Sequence, residues 1–292
     1  MHTKDLFSRP YPTFSLEVFP PKTKSSLETI YTTLSGLKGL PVDFISVTYG
    51  AGGSDTQKNK TCEIASLIKR EYGIEPVAHL TCVSSTREEL KSTLAQLKEN
   101  GIENILALRG DIPEGVEPKH DFYHANELAS FIKAHYPECN LLGACYPEVH
   151  SEAKDMDQDI QNLKHKVDAG VSHLITQLFF DNSHFYYFME KLRAAGVDTP
   201  VEAGIMPLTT VSQVQRMVSM CGASVPNQLS TLVNRYADSP EDLAKAGTDY
   251  ALNQIYDLIR HGVDGIHLYT MNNVALAQTV TKAVLPAMGR SL

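Results

Sequence analysis

Eight short apolar, β-branched runs, each separated from the next by a longer stretch, constrain this chain more than any other feature. The runs are Phe14–Phe19, Asp43–Tyr49, Pro76–Cys82, Asn104–Arg109, Asn140–Tyr146, His173–Phe180, Pro200–Met206 and Gly265–Thr270. Amphipathic segments lie between them, among them Lys58–Tyr72, Arg87–Asn100, Asn126–His135 and Asp159–Ala169. Within Arg87–Asn100, Leu90, Leu94 and Leu97 recur at helical spacing with Lys and Glu between them. Asn100-Gly101, Ala169-Gly170 and Ala195-Gly196 are helix-stop signals, and a strand follows each within a few residues. Strands alternating with helices pair in parallel through crossovers. Two closures satisfy that rule, a barrel and an open doubly wound sheet. Eight units in 292 residues favour a (β/α)8 barrel of the TIM type, whose usual size is roughly 250 residues plus insertions. No GxGxxG follows the first strand, which weakens the open dinucleotide-binding alternative. Cys221–Gly262 is longer than one crossover needs, and predicts helix 7 plus an extra helix pair before the last strand. No repeat, linker or low-complexity segment divides the chain, so a single catalytic barrel domain over residues 1–292 is expected.

Composition narrows the class of partner. Five cysteines are scattered, odd in number and without CxxC spacing, which suggests neither a disulfide framework nor a zinc site. A reducing, cytoplasmic setting fits. The start, Met1 to Phe7, has no apolar core of signal-peptide length, and no run is long enough to span a bilayer. With 26 Lys plus Arg against 34 Asp plus Glu, the formal charge is −8. That makes a poor nucleic-acid binder, and anionic ligands must be met by local cations.

In such a barrel the chemistry collects at the C-terminal strand ends. The first strand carries Glu17 between apolar neighbours, where a carboxylate is disfavoured unless paired or functional. Taken alone, it is better read as a satisfied structural carboxylate. The second ends in Thr48-Tyr49-Gly50-Ala51-Gly52-Gly53, whose glycines let a backbone approach a ligand, although a plain turn looks the same. The third holds His79, by itself more often a core histidine. The fourth ends in Arg109-Gly110-Asp111, otherwise a surface salt bridge. The fifth runs into Tyr146 and His150, two rings suited to clamp a planar group by stacking. The helix after it places Asp159, Asn162 and Lys166 on one face, usually a solvated one. The sixth holds Gln177, whose amide needs both donor and acceptor partners and suits a heterocycle edge. Each signal is weak alone. Six accidents at successive strand ends explain the pattern less well than one site does, which predicts an enzyme without naming its reaction.

The segments Ser15 to Pro21, Thr48 to Gly53, Arg109-Gly110-Asp111, Tyr146 to His150, Leu163 to Gly170, Thr176 to Asp181 and Tyr269-Thr270-Met271-Asn272 stand in a telling order. From residue 15 to residue 273 the chain resembles bacterial methylenetetrahydrofolate reductase in its short form. The resemblance implies FAD held non-covalently at the C-terminal face and NAD(P)H as electron-donating substrate. It implies reduction of 5,10-methylenetetrahydrofolate to 5-methyltetrahydrofolate in a ping-pong scheme. Carried over position by position, Thr48, Tyr49, Ala51, His79, Arg109, Gly110, Asp111, Ala125, Tyr146, His150, Asp159, Asn162 and Lys166 would bind FAD. Glu17 would be the general acid, and Asp111 would act beside folate and flavin. Gln177 and Gln213 would touch the folate, and Gln177 also the nicotinamide nucleotide. The resemblance also implies a homo-oligomer and a chain without the adenosylmethionine-binding regulatory domain of the eukaryotic form. Two positions depart from it: Asn273 and His165 stand where the family often has Arg.

The chemistry asks for these residue types. The methylene bridges two nitrogens, and hydride adds only after one C–N bond opens to an iminium. The leaving nitrogen needs an acid still protonated near neutral pH, and an apolar surround at Glu17 would favour the neutral carboxyl. Asp111 would stabilise the developing cation, and Arg109 and Lys166 would meet the FAD pyrophosphate. The alternatives are another FAD-dependent barrel oxidoreductase and a non-catalytic accessory barrel. The joint presence of Glu17, Asp111 and Gln177 argues against the latter.

Overall fold

A computed structural model of the chain describes residues 1–21, 27–49, 55–112 and 117–291. Eight parallel strands close a barrel in sequence order: β1 Thr13–Val18, β2 Phe44–Val47, β3 Glu75–Thr81, β4 Asn104–Leu108, β5 Asn140–Cys145, β6 Val171–Thr176, β7 Val201–Ile205 and β8 Gly265–Tyr269. The seam is β1 on β8, in register from Thr13↔Gly265 to Glu17↔Tyr269. Around it run α1 Leu27–Leu37, α2 Asp55–Tyr72, α3 Arg87–Glu99, α4 Ala125–His135, α5 Met156–Asp168, α6 Asn182–Ala194, α7 Val211–Cys221, α8 Asn227–Arg235, α9 Pro240–Arg260 and α10 Val274–Ala287. No helix among the described residues is long and apolar enough to cross a membrane.

Period-two alternation gives each strand two environments. On β1, Phe14, Leu16 and Val18 face outward into the main core beneath the helices, whereas Thr13, Ser15 and Glu17 face the barrel interior. The helices bring matching stripes, such as Leu90, Leu94 and Leu97 on α3. Thr86 and Glu89 close a reciprocal capping box at the start of α3. Each fully buried Leu or Phe contributes roughly 1.5–3 kcal/mol. The outer layer therefore holds the barrel shut and leaves the interior free for polar groups.

Inside, Leu6, Phe44, Val77, Leu106, Leu142 and Ile175 pack as a separate plug. Leu6 comes from a short 3-10 helix, Thr3–Ser8. Below the plug, the Thr3 amide donates to Asn104 Oδ1 at 2.9 Å, and Asn140 Nδ2 donates to Thr3 Oγ1 at 3.0 Å. The first residues of the chain thus cap the N-terminal end of the barrel, a role their sequence did not announce. The open end is the C-terminal mouth.

Two boundaries differ from expectation. The sixth strand covers Val171–Thr176, not His173–Phe180. Leu178 and Phe180 belong to a second core cluster under α7, α8 and α9, and Phe179 stacks on Phe185 at the start of α6. Their apolar character serves a packed loop rather than a ladder. Three helices do separate β7 from β8. The first, α7, ends at Cys221, so the stretch Cys221–Gly262 contains the pair α8 and α9 only.

One interior group limits stability. Glu202 on β7 is fully buried, and its Oε1 accepts from Thr13 at 2.6 Å and Ser15 at 3.2 Å. Burial outweighs those bonds and pushes its carboxyl up to about 8. The unfolded chain therefore loses this proton first, near 4.5, while the folded protein keeps it to about 8. Between those values the folded state holds more protons, so stability falls as pH rises and levels off above 8. Glu202→Gln should match the parent in thermal melts at pH 4. At pH 8 it should exceed the parent by on the order of a few kcal/mol, because each tenfold difference in proton affinity between the folded and unfolded chain is worth about 1.4 kcal/mol. A stability difference that does not change with pH would contradict this account.

Candidate active site

A cavity of ≈ 860 Å³ opens at the C-terminal mouth. Every residue given a catalytic or binding role from the sequence lines it except two: Ala51, which lies outside the described residues with the rest of Gly50–Ser54, and Gln213. Glu17 sits at the floor. Its Oε2 lies 3.6 Å from His79 Nε2 and 3.8 Å from His267 Nε2, with the side chain 19% exposed. The expected apolar surround is therefore absent, because Leu16 and Val18 point out to the helices. Two imidazoles take its place. Burial drives His79 down to about 4, so that ring is neutral at neutral pH.

The β8 exit holds this carboxyl in place. Thr270 Oγ1 donates to the Glu17 carbonyl at 2.6 Å. Asn272 grips Phe19 twice, accepting from its N–H at 3.1 Å and donating to its carbonyl at 2.9 Å. Met271 and Asn272 adopt φ of 51° and 57°, the left-handed region that Asn tolerates better than most residues. Asn273 caps α10 by accepting from Leu276 N at 3.0 Å and does not line the cavity, whereas His165 does.

The β4 exit brings Arg109, Gly110 and Asp111. Gly110 has φ +87°, and a Cβ there would stand 2.9 Å from Thr81 Cβ, so glycine is required on both counts. Asp111 is exposed at the rim. Arg109 pairs with Glu152 across the mouth, and that bond is the main reason its guanidinium is held above its usual range.

The β5 side differs from expectation. The rings of Tyr146 and His150 lie 4.6 Å apart at 88°, edge to face. Perpendicular rings cannot sandwich a planar group, so one of them at most can stack on it. The His150 N–H donates to Asp159 Oδ2 at 2.8 Å, and its Nδ1 accepts from Glu152 N at 3.1 Å, which puts the ring proton on Nε2. Burial, with Asp111 and Asp159 nearby, pushes the Tyr146 phenol to about 12. On α5, Lys166 Nζ donates to the Ala144 carbonyl at 2.9 Å, and burial lowers its ammonium below the usual lysine range.

Gln177 lies just past the end of β6. Its N–H donates to the Cys145 carbonyl, and its Oε1 accepts from Leu178 N, both at 2.8 Å. Gln213 stands apart because it closes a capping box on α7, where its Oε1 accepts from Thr209 N at 2.8 Å and Thr210 N at 3.1 Å.

The sequence reading missed an apolar wall made of Leu178, Met206, Met217, Cys221, Tyr269 and Met271. Tyr269 fixes it by donating to the Thr176 carbonyl at 2.7 Å. Period two along β7 places Met206 in phase with Gly204 and Glu202 and could have found it. Nothing local marks Met217 or Cys221. The cavity thus joins an acid flanked by imidazoles, a carboxylate at the rim, a part-buried cation and an adaptable thioether wall. That combination suits a planar, partly anionic ligand.

A family model described as methylenetetrahydrofolate reductase matches residues 3–285. A 5,10-methylenetetrahydrofolate reductase of Pectobacterium carotovorum subsp. carotovorum is 37% identical over 279 residues, spanning 94% of this chain and 92% of that one. The protein of that name from Escherichia coli (strain K12) is 34% identical over 276 residues, with the same coverage of 94% and 92%. Among solved structures, a Clostridium thermocellum protein that binds two copies of 5-methyl-5,6,7,8-tetrahydrofolic acid superposes with a TM-score of 0.67 over 98% of this chain and 97% of its own. At 13% identity that likeness speaks for the fold alone.

Proposed function

The chain belongs to the methylenetetrahydrofolate reductase family, and on that premise we propose that it reduces 5,10-methylenetetrahydrofolate to 5-methyltetrahydrofolate with electrons from NAD(P)H passed through bound FAD. The observation that carries this reading is Glu17, a part-buried carboxyl between two imidazoles in the same cavity as Asp111, Gln177 and Lys166. The residues present fit the flavin. Lys166 is a part-buried cation in a chain of charge −8, and it lines the cavity together with Arg109.

FAD supplies the hydride relay when bound. Lys166 and Arg109 would meet its pyrophosphate, Tyr146 or His150 would contact a ring, and Asp159 holds the His150 backbone in position. Thr48, Tyr49, His79, Gly110, Ala125 and Asn162 complete the wall, and Ala51, outside the described residues, is proposed as a further contact. Glu17 gives its proton to the leaving nitrogen, so that the methylene bridge opens to an iminium. Asp111 stabilises that cation from the rim. Gln177 orients the folate and, in the other half-reaction, the nicotinamide. Gln213, outside the cavity wall, serves only the part of the folate that projects from the mouth. Both substrates take one cavity in turn, which is the ping-pong order. The same reading includes one catalytic domain over 1–292, a cytoplasmic setting and self-association.

Anaerobic mixing tests the whole scheme. The yellow protein should bleach with NADH or NADPH and regain its colour with methylenetetrahydrofolate. Bleaching without recovery would point to a different flavin barrel, and a colourless protein to an accessory one. The phosphate assignment has its own test, in which apoprotein of each variant is titrated with FAD. A charge-assisted hydrogen bond contributes roughly 1.5–3 kcal/mol, so Lys166→Ala should weaken FAD binding about 10- to 100-fold. Arg109→Ala should lose less, because a phosphate there competes with Glu152. Parent-like affinity in both variants would remove the assignment.

A further inference from the structure

Below Glu17, the barrel interior holds a column of polar groups that the reaction does not use directly. Ser15 Oγ lies 2.7 Å from His267 Nδ1 and 3.2 Å from Glu202 Oε1, with the Ile266 carbonyl oxygen a more distant acceptor at 3.5 Å. Ser46 Oγ lies 3.3 Å from His267 Nε2, the nitrogen that faces Glu17. Glu202, Ser15 and His267 are fully buried, so no bulk water exchanges their roles. A serine has one proton to give. If Ser15 gives it to Glu202, the serine oxygen must accept from His267, and His267 carries its proton on Nδ1. Its Nε2 is then a bare lone pair, satisfied by Ser46 and turned toward Glu17. If Ser15 instead donates to His267, the ring proton moves to Nε2 and points at the Glu17 carboxylate. The first arrangement disfavours an anionic Glu17, and the second stabilises it.

We propose that Glu202 is a positioning residue for the acid Glu17: by taking the Ser15 proton it fixes the His267 tautomer that presents a bare Nε2 to Glu17. Thr13 donates to the same Glu202 oxygen at 2.6 Å, which keeps Oε1 an acceptor whether or not the carboxyl is ionised. Burial keeps Glu202 protonated to about 8, so the column carries no fixed negative charge at neutral pH. The other titratable groups among the described residues are few. Glu17 is faced by His79 from β3 and by His267 and Tyr269 from β8. His79 and His173 surround His267, and burial drives them to about 4 and about 3, so both are neutral. Asp43 and Asp264 act on Glu202 from beyond the barrel wall. The tautomer of His267 is therefore the variable that remains.

The inference rests on the proposed reaction, and its test separates the two. The FAD-loaded protein carries 15N-labelled histidine, with His267 assigned by the signals lost in His267→Asn. The parent and Glu202→Gln should show Nδ1 protonated and Nε2 bare. Glu202→Met, which keeps the volume and removes the acceptor, should show the reverse or a mixture. Ser15→Ala, which removes the bridge, is a second disrupting variant should the first fold poorly. In the folate half-reaction, the alkaline limb of the pH profile should move about one pH unit toward acid in Glu202→Met. That is roughly a tenfold loss at fixed pH on that limb. Glu202→Gln should keep the parent profile, and flavin reduction by NADH should hold in every variant. An Nε2-protonated parent, a tautomer indifferent to Glu202→Met and Ser15→Ala, an unmoved limb, or equal losses in both half-reactions would each overturn the proposal. A parent with no folate turnover would overturn the reaction instead, while the nitrogen spectra still decide the tautomer.

Discussion

Glu17→Gln should lower the rate of the folate half-reaction by about 10²–10⁴, the usual worth of general acid catalysis, and leave flavin reduction by NADH close to the parent rate. The asymmetry follows from what each half-reaction needs. Hydride transfer from a nicotinamide requires no proton at the folate nitrogen, whereas opening the methylene bridge requires one before hydride can land. Gln keeps the size of Glu and its polar contact with the His79 and His267 rings, 3.6 and 3.8 Å away, so the cavity floor should persist. It has no proton of the right acidity to give. If Glu17 only supported β1, the substitution would loosen the strand end that Thr270 and Asn272 grip. FAD would then be held less well and both half-reactions would slow together. Stopped-flow absorbance of the flavin, measured separately with NADH and with methylenetetrahydrofolate, distinguishes the two. Equal losses would remove Glu17 from the acid role.

The same carboxylate shows how far the sequence reads. A Glu between Leu16 and Val18 was conspicuous because an apolar strand rarely tolerates one, and the cavity explains it. Glu202, between Val201 and Ala203, gives the same signal, yet it lies too far from its strand end for the barrel rule to mark it. Finding it takes the pairing of β7 with β8, which places Glu202 opposite Gly265. The eight strands were legible from alternation and spacing. The sixth was placed too late because Leu178, Phe179 and Phe180 look the same in a ladder or in a loop packed on helices. Gln213 was read through resemblance alone, although Thr210-Val211-Ser212-Gln213 carries the capping-box pattern that the structure forms. The 3-10 plug leaves no such trace, since Leu6 acquires its meaning only from Phe44, Val77 and Leu106 above it.

Gly247→Ala should destabilise the protein, although alanine in the middle of a helix ordinarily stabilises by roughly 1 kcal/mol over glycine. Gly247 lies within α9, on the buried stripe with Leu243, Ala251, Ile255 and Leu258. A Cβ there would overlap the carbonyl oxygen of Leu208 and stand 2.8 Å from its carbonyl carbon. Those are backbone atoms, so no rotamer change relieves the clash. Either α9 withdraws or the β7 exit moves. Withdrawal opens the second cluster, in which Leu208 packs with Met206, Met217 and Leu243. Movement of the exit shifts Met206 in the cavity wall. Overpacking of this kind costs about 1–3 kcal/mol and sometimes more, which exceeds the propensity gain. At roughly 2–4 °C per kcal/mol for a large domain, Tm should fall by several degrees. Substrate KM should rise with it, because the wall and the packing share the same residues. The melt of Gly247→Ala beside the parent decides the sign. A Tm at or above the parent value would mean that α9 and the β7 exit slide apart freely, and that the close approach at Leu208 does not set their spacing.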